Sequence, residues 1–187
     1  MVGLLGYRAH IVLVEELLRL MPFIPLRRKS FKSALDLGCG TGLCGPLVKP
    51  HAAHLAGVDL SAAMLDKARA LGVYDSLSHS DLSAYLAQIT AQAQHDLVLS
   101  ADVFIYVGAL EAVFAGVARA LETGGVFCFS VEKASDAVGW QLTPGMRYAH
   151  SARYLRALAA QHGFDVLQML AHAIRHDQRR AIDGLFV

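Results

Sequence analysis

The chain has 187 residues, a formal net charge of +1, 55% hydrophobic residues and 18% charged ones. That is enough chain for one domain with a large core, too apolar for disorder, and too nearly neutral for broad capture by nucleic acid or an anionic membrane. No stretch supplies the roughly 20 mostly apolar residues of a spanning helix. The N-terminus lacks a signal-peptide pattern, and Cys39, Cys44 and Cys128 lack metal-ligand spacing. A reduced, cytoplasmic chain is expected.

Periodicity predicts a first helix over 6–21, with Ile11, Val14, Leu17 and Leu18 on one face. Pro22 and Pro25 end it. Arg27, Arg28, Lys29 and Lys32 read as a solvated loop. Alternation follows: strand 33–37, helix 43–49, strand 54–58, helix 61–71 with Ser61 as its cap, strand 77–79, helix 83–93, strand 96–100, helix 109–121 closed by Gly124 and Gly125, and strand 126–131. Residues 133–148 read as irregular, with Gly139, Pro144 and Gly145. A helix over 151–161 with Gly163 at its end and strands over 164–174 and 182–187 complete the chain. Strand–helix alternation with apolar strands predicts a single α/β domain whose mostly parallel sheet has helices on both faces.

Ligands of such sheets bind beyond the carboxyl ends of the strands. The first strand ends in LDLGCGTG (35–42), where Gly38, Cys39 and Gly40 allow close backbone approach and Asp36 can hold an amino group, directly or through water. The second ends in GVDLSAAML (57–65). Asp59 is spaced to accept from ribose hydroxyls, and Leu60 and Met64 can cover a purine; the alternative is an acid that only meets the next helix dipole. Asp81 and Leu82 follow the third strand, as an adenine contact, a helix cap or both. SADVFIYV (100–107) places Ser100, Asp102 and Tyr106 at the end of the fourth. Gly40, Gly42 and Gly45 also match G-x-G-x-x-G, but Asp36 would repel a pyrophosphate and ADVFIYV supplies no second glycine turn, which weakens a nicotinamide-dependent oxidoreductase reading.

In order, LDLGCGTG, GVDLSAAML, the third-strand acid, HDLVLSADV and ALETGGVFCFS (spanning 34–131) resemble class I S-adenosylmethionine-dependent methyltransferases. LGYRA (5–9), GLCGPL, GVYD (72–75), ADVFIYVGAL, FSVE (129–132), RYAHS (147–151) and HGFDVL extend the resemblance to bacterial methyltransferases associated with tetratricopeptide repeats. Two departures stand out. Repeat helices are absent, and the chain stops at GLFV, short of the few residues with which that family's last strand usually continues.

The resemblance implies a Rossmann-like sheet of seven strands with the last antiparallel and beside the sixth. It implies S-adenosyl-L-methionine as cofactor and S-adenosyl-L-homocysteine as product. Asp36, Gly38, Cys39 and Gly40 would line the methionine moiety, with Ser100 beside its end. Asp59 would bind ribose, and Leu60, Asp81 and Leu82 would meet adenine. Tyr7 and Arg8 would close over the cofactor. On that plan residues 1–32 are an N-terminal helix and linker, 33–131 the cofactor-binding core, and 132–187 the acceptor side. Where the acceptor must lose a proton, Asp102 or His150 is the expected base, ahead of Tyr106 and Tyr148. The acceptor is expected to be a small molecule more readily than a protein, and not nucleic acid. A methyltransferase-like domain that binds without catalysis is the alternative. His51 with His54 and His172 with His176 lack a third ligand in spacing, so no metal is expected.

Overall fold

The computed structural model describes residues 8–24, 29–89, 95–177 and 180–187. The first half runs α1 (Ala9–Leu20), β1 (Phe31–Leu37), α2 (Gly45–Val48), β2 (Ala52–Asp59), α3 (Ala62–Ala70), β3 (Ser76–His79), α4 (Leu82–Gln88) and β4 (His95–Ser100). The second half runs α5 (Glu111–Ala120), β5 (Leu121–Lys133), β6 (Trp140–Leu142), β7 (Tyr148–His150), α6 (Ala152–Gln161), β8 (Leu170–Asp177) and β9 (Arg180–Phe186). Every residue of β4 is buried, as an apolar strand covered on both faces requires.

Strands β3, β2, β1, β4 and β5 lie side by side and parallel. Strand β9 runs antiparallel to both β5 and β8 and lies between them. These seven strands are the expected sheet. Two more strands were not expected: β6 and β7 form a hairpin whose second strand pairs parallel with Glu132 and Lys133 of β5. Gly139, Pro144 and Gly145 suggested an irregular stretch, but Pro144 and Gly145 occupy the hairpin turn. There Thr143 N–H donates to Arg147 carbonyl at 2.8 Å, and Met146 adopts φ 56°. The predicted strand over 164–174 is regular only from Leu170, and part of the helix predicted over 83–93 lies outside the described residues.

Caps set the helix starts. Ser61, Asp81 and Ser151 each accept a backbone N–H of the first turn of α3, α4 and α6. Gly163, at φ 76°, follows α6 as a left-handed terminator. Two apolar layers sandwich the sheet. Leu13, Val14 and Leu17 of α1 pack with Phe31, Leu55, Leu97 and Leu99 on one face. Val113, Phe114 and Val117 of α5 pack with Leu35, Val98 and Phe129 on the other, joined by Leu155 and Leu158 of α6. Helix α1 therefore turns Leu13, Val14 and Leu17 inward, while Ile11 and Leu18 of the expected face are only half-buried.

Phe114 centres the second layer, with its ring centroid 5.5 Å from Phe127, 5.7 Å from Phe129 and 6.1 Å from Phe164. Truncating such a ring removes its burial and leaves a cavity. Phe114→Ala is expected to lower unfolding free energy by about 3–5 kcal/mol, measured by urea denaturation with the m-value unchanged.

Candidate functional site

The carboxyl ends of β1, β2, β3 and β4 form one rim. After β1 the chain turns through Gly38, Gly40 and Gly42, all at positive φ (71°, 55° and 85°), a region that costs an L side chain energy. Both Gly38 and Cys39 N–H groups donate to Val58 carbonyl, at 2.8 and 3.0 Å, which pins the loop to β2. A Cβ on Gly38 would lie 2.5 Å from Val103, so the glycine is required by packing as well as by φ.

Asp59 closes this turn. One carboxylate oxygen accepts from Gly40 N–H and the other from Ser61 N–H, each at 2.8 Å. Each oxygen retains a lone pair for a further donor. Beside it Leu60 and Met64 are exposed apolar side chains, 69% and 46% accessible. At the next strand end Asp81 caps α4 with a single oxygen, accepting from Ser83 and Ala84 N–H, so its second oxygen is free of these bonds. Leu82 is half-buried against the second core layer. His79 Nε2 bonds Leu60 carbonyl at 2.8 Å and Ser80 N–H donates to Asp59 carbonyl, joining the β2 and β3 ends.

Asp36 lies beneath the glycine loop and is fully buried. Tyr74 hydroxyl donates to it at 2.7 Å. Burial pushes its carboxyl up to about 7; the Tyr74 bond opposes the rise and the nearby Asp59 charge adds to it. Tyr74, in the GVYD motif, is thus the partner the sequence reading did not assign. Ser100 is also wholly buried, and its hydroxyl donates to Leu37 carbonyl, tying β4 to β1. Cys39 is buried beside Asp36, and burial likewise raises its thiol. Tyr7 lies outside the described residues; Arg8 is exposed just before α1.

The two expected bases are both engaged. Asp102, at φ 58°, donates its N–H to Ser130 Oγ and accepts from Arg175 Nη1 at 3.0 Å; Arg175 also pairs with buried Glu132. Burial raises the Asp102 carboxyl, against the pull of Arg175 and Arg147. His150 is fully buried, its Nε2 is 2.8 Å from Gly108 carbonyl, and burial lowers its pKa. A carbonyl only accepts, so Nε2 carries a proton, and the bond joins β7 to the segment before α5. Tyr154, stacked on His150, supports the same segment by accepting Leu110 N–H at 2.8 Å. The bond to Gly108 engages Nε2 and leaves Nδ1 as the nitrogen of His150 that could accept a proton. Exposed Tyr106, Trp140, Leu142 and Met146 flank this end. No group of three or more metal-ligating side chains occurs among the described residues.

Residues 35–129 match the family described as a methyltransferase domain, and the chain belongs to that family. It is 33% identical over 117 residues to malonyl-[acyl-carrier protein] O-methyltransferase of Enterobacter lignolyticus, covering 63% of this chain and 45% of that one. It is 32% identical over 102 residues to ubiquinone biosynthesis O-methyltransferase of Azoarcus sp., covering 53% and 43%. The aligned region thus spans under half the length of these curated relatives. Among solved structures, the S-adenosylmethionine-dependent methyltransferase from Mesorhizobium loti superposes with TM-score 0.67 at 24% identity, over 93% of this chain and 96% of that one. Magnesium protoporphyrin IX methyltransferase from Synechocystis PCC 6803, solved with bound S-adenosylhomocysteine, gives 0.66 at 19%, over 95% and 81%. These two similarities show the common fold.

Two measurements test the rim. Gly38→Ala is expected to weaken S-adenosylhomocysteine binding at least about tenfold, and Val103→Ala added to it should restore part of the loss, because it removes the clash but not the positive φ. Asp36 binds its proton more tightly folded than unfolded, so its contribution to stability is full below about pH 4 and is lost as pH rises through about 7. Asp36→Asn, which keeps an acceptor for Tyr74, should therefore stabilise the protein increasingly over that window, by a few kcal/mol at most, and by a constant amount above it. Melting temperature of both proteins against pH is the readout.

Proposed function

From this family membership and the geometry of the rim, we propose that the chain transfers the methyl group of S-adenosylmethionine to a small, partly apolar acceptor and releases S-adenosylhomocysteine. The observation that carries the reading is the three-glycine turn tied through Gly40 N–H to Asp59. The residues fit the cofactor. Asp59 keeps a lone pair on each oxygen for ribose hydroxyls, Leu60 and Met64 offer apolar surface to a purine, and the second oxygen of Asp81 can accept from an exocyclic amine. Gly38, Cys39 and Gly40 would hold the methionine moiety with their backbone. Asp36, beneath the loop, would gain charge when the cofactor's cationic amino group lies above it.

Bound there, S-adenosylmethionine supplies a sulfonium methyl already activated toward a nucleophile. What remains for the chain is to hold the acceptor in line and exclude water, and orientation of this kind is worth about 7–11 kcal/mol in well-placed systems. Tyr106, Trp140, Leu142 and Met146 form the apolar side on which the acceptor would lie. With His150 Nε2 bonded to Gly108 and Asp102 Oδ1 held by Arg175, both residues serve to shape that side. An acceptor ionised near neutral pH would need no base. The names of both curated relatives specify O-methyl transfer, which favours an oxygen acceptor here too. A small molecule is preferred to a protein, and cytoplasmic residence is proposed with it; no helix among the described residues is long and apolar enough to cross a membrane.

Calorimetric titration tests the reading. S-Adenosylmethionine and S-adenosylhomocysteine should bind in the micromolar range, NADH should not, and Asp59→Ala should weaken both at least about tenfold. Formation of S-adenosylhomocysteine should then appear when phenolic and carboxylic acceptors are added. Binding of NADH instead, or cofactor binding without turnover on any acceptor or cell extract, would overturn the enzyme reading.

A further inference from the structure

Gly45 completes the G-x-G-x-x-G match and Gly57 opens GVDLSAAML, yet neither adopts a positive φ. Backbone conformation does not explain these two glycines, but space does. A Cβ on Gly45 would lie 2.6 Å from Tyr74 Cε2, and one on Gly57 would lie 3.0 Å from Tyr74 Cδ1. A Cβ on Gly42 would meet Tyr74 Cε2 at 3.0 Å. Each glycine has a further near neighbour (Val73, Leu77 or Leu71), but Tyr74 is common to all three. The turn after β1, the start of α2 and the end of β2 thus leave one socket, and the phenol ring of Tyr74 fills it.

The GVYD segment (72–75) carries the ring there. Gly72, at φ 67°, turns the chain after α3. Asp75 then fastens the segment to β2 twice: its N–H donates to Leu55 carbonyl at 2.9 Å, and its carboxylate accepts Leu55 N–H at 2.7 Å. The same carboxylate oxygen accepts from Lys49 Nζ at 2.6 Å. A seated ring and a backbone fastened at the next residue leave the hydroxyl little freedom. That hydroxyl donates to Asp36 Oδ2 at 2.7 Å, so the carboxyl is oriented from beneath the glycine turn.

We propose that Tyr74 is a positioning residue of the cofactor site, whose hydroxyl holds the Asp36 carboxyl ready for the cationic amino group of S-adenosylmethionine. This rests on the cofactor reading of the rim. Tyr74 acts through Asp36, and its bond strengthens as the carboxyl ionises, because hydrogen bonds to charged groups are the stronger ones. The ionisable groups that face Asp36 are Asp59 at the end of β2, Tyr74 itself, and the thiols of Cys39, Cys44 and Cys128. Burial raises all three thiols, which therefore stay protonated. Burial and the Asp59 charge oppose the charged carboxyl, and Tyr74 favours it. Only a ligand that brings a cation draws on this bond. 5′-Methylthioadenosine has the adenine, ribose and thioether of S-adenosylhomocysteine but no amino acid group, so it should be indifferent to it.

The test compares the intact chain with Tyr74→Phe, which keeps the ring in its socket and removes the donor. In calorimetric titration near pH 7.5 the variant should bind S-adenosylhomocysteine at least about tenfold more weakly and 5′-methylthioadenosine within about twofold of the unaltered chain. Affinity of the unaltered chain for S-adenosylhomocysteine should rise with pH through about 7. In Tyr74→Phe the rise should move to higher pH, because a bond that lowers the Asp36 carboxyl is gone. In an Asp36→Asn background, Tyr74→Phe should cost no further affinity. Equal loss of both ligands would make Tyr74 a structural prop of the turn and overturn the proposal. So would an unmoved pH profile, or a full additional loss on top of Asp36→Asn. A Tyr74→Phe protein that binds S-adenosylhomocysteine as tightly as the unaltered chain would overturn the assignment of Tyr74 and leave the cofactor reading standing. An unaltered chain that binds neither ligand would overturn both together.

Discussion

The Asp59 carboxylate accepts Gly40 N–H with one oxygen and Ser61 N–H with the other, and this pair of bonds joins the turn after β1 to the turn after β2. A glycine turn with three positive-φ residues has much freedom to lose on ordering. Two further bonds, from Gly38 and Cys39 N–H to Val58 carbonyl, fix its first half, and Asp59 fixes its second. The parallel register of β1 on β2, with Asp36 beside Gly57 and Leu37 beside Val58, is what brings these groups within reach. The rest of the rim is built outward from this junction, since His79 and Ser80 bond in turn to the backbone of Leu60 and Asp59.

Charge is distributed unevenly around this edge. Under the glycine turn the buried Asp36 carboxyl accepts from the Tyr74 phenol, and burial pushes it up to about 7. At the far end of β4 and β5, burial is met by a counter-charge: Arg175 of β8 reaches Asp102 and Glu132 together. Removing one member of such a buried cluster leaves the others uncompensated. The two arrangements suit different tasks. A carboxyl near its midpoint responds to a cation placed above it, whereas a paired one holds a shape. Asp102 keeps its left-handed backbone because Ser130 and Arg175 both bind it.

Strand β5 is the long member of the sheet and serves three neighbours along its length. β4 takes one edge as far as Phe129, and β7 takes the last two residues, which places the hairpin at the carboxyl-end rim. β9 takes the opposite edge at Ser130 to Glu132. The aromatic rings of Phe127 and Phe129, packed edge-on or tilted against Phe114 and Phe104, hold this strand to α5 and to the segment after β4. The carboxyl-end rim and the antiparallel end of the sheet thus both depend on how one strand is packed.

Much of this was legible from local pattern. The alternation of apolar strands with capped helices gave the parallel order, and the acids at strand ends marked the rim, because strand polarity and loop position follow from chain order alone. The caps at Ser61 and Asp81, and the helix terminator at Gly163, are also local effects, readable within four residues. What sequence could not show were contacts between residues far apart in the chain. Tyr74 meets Asp36 across 38 positions, Arg175 meets Asp102 across 73, and His150 meets Gly108 across 42. The β6–β7 hairpin exists because the end of β5 offers it an edge. Residue type and spacing therefore determined the class of fold and the position of the site. Burial and partner choice, which only the packed chain defines, decided which acids are buried, which are paired, and where His150 bonds.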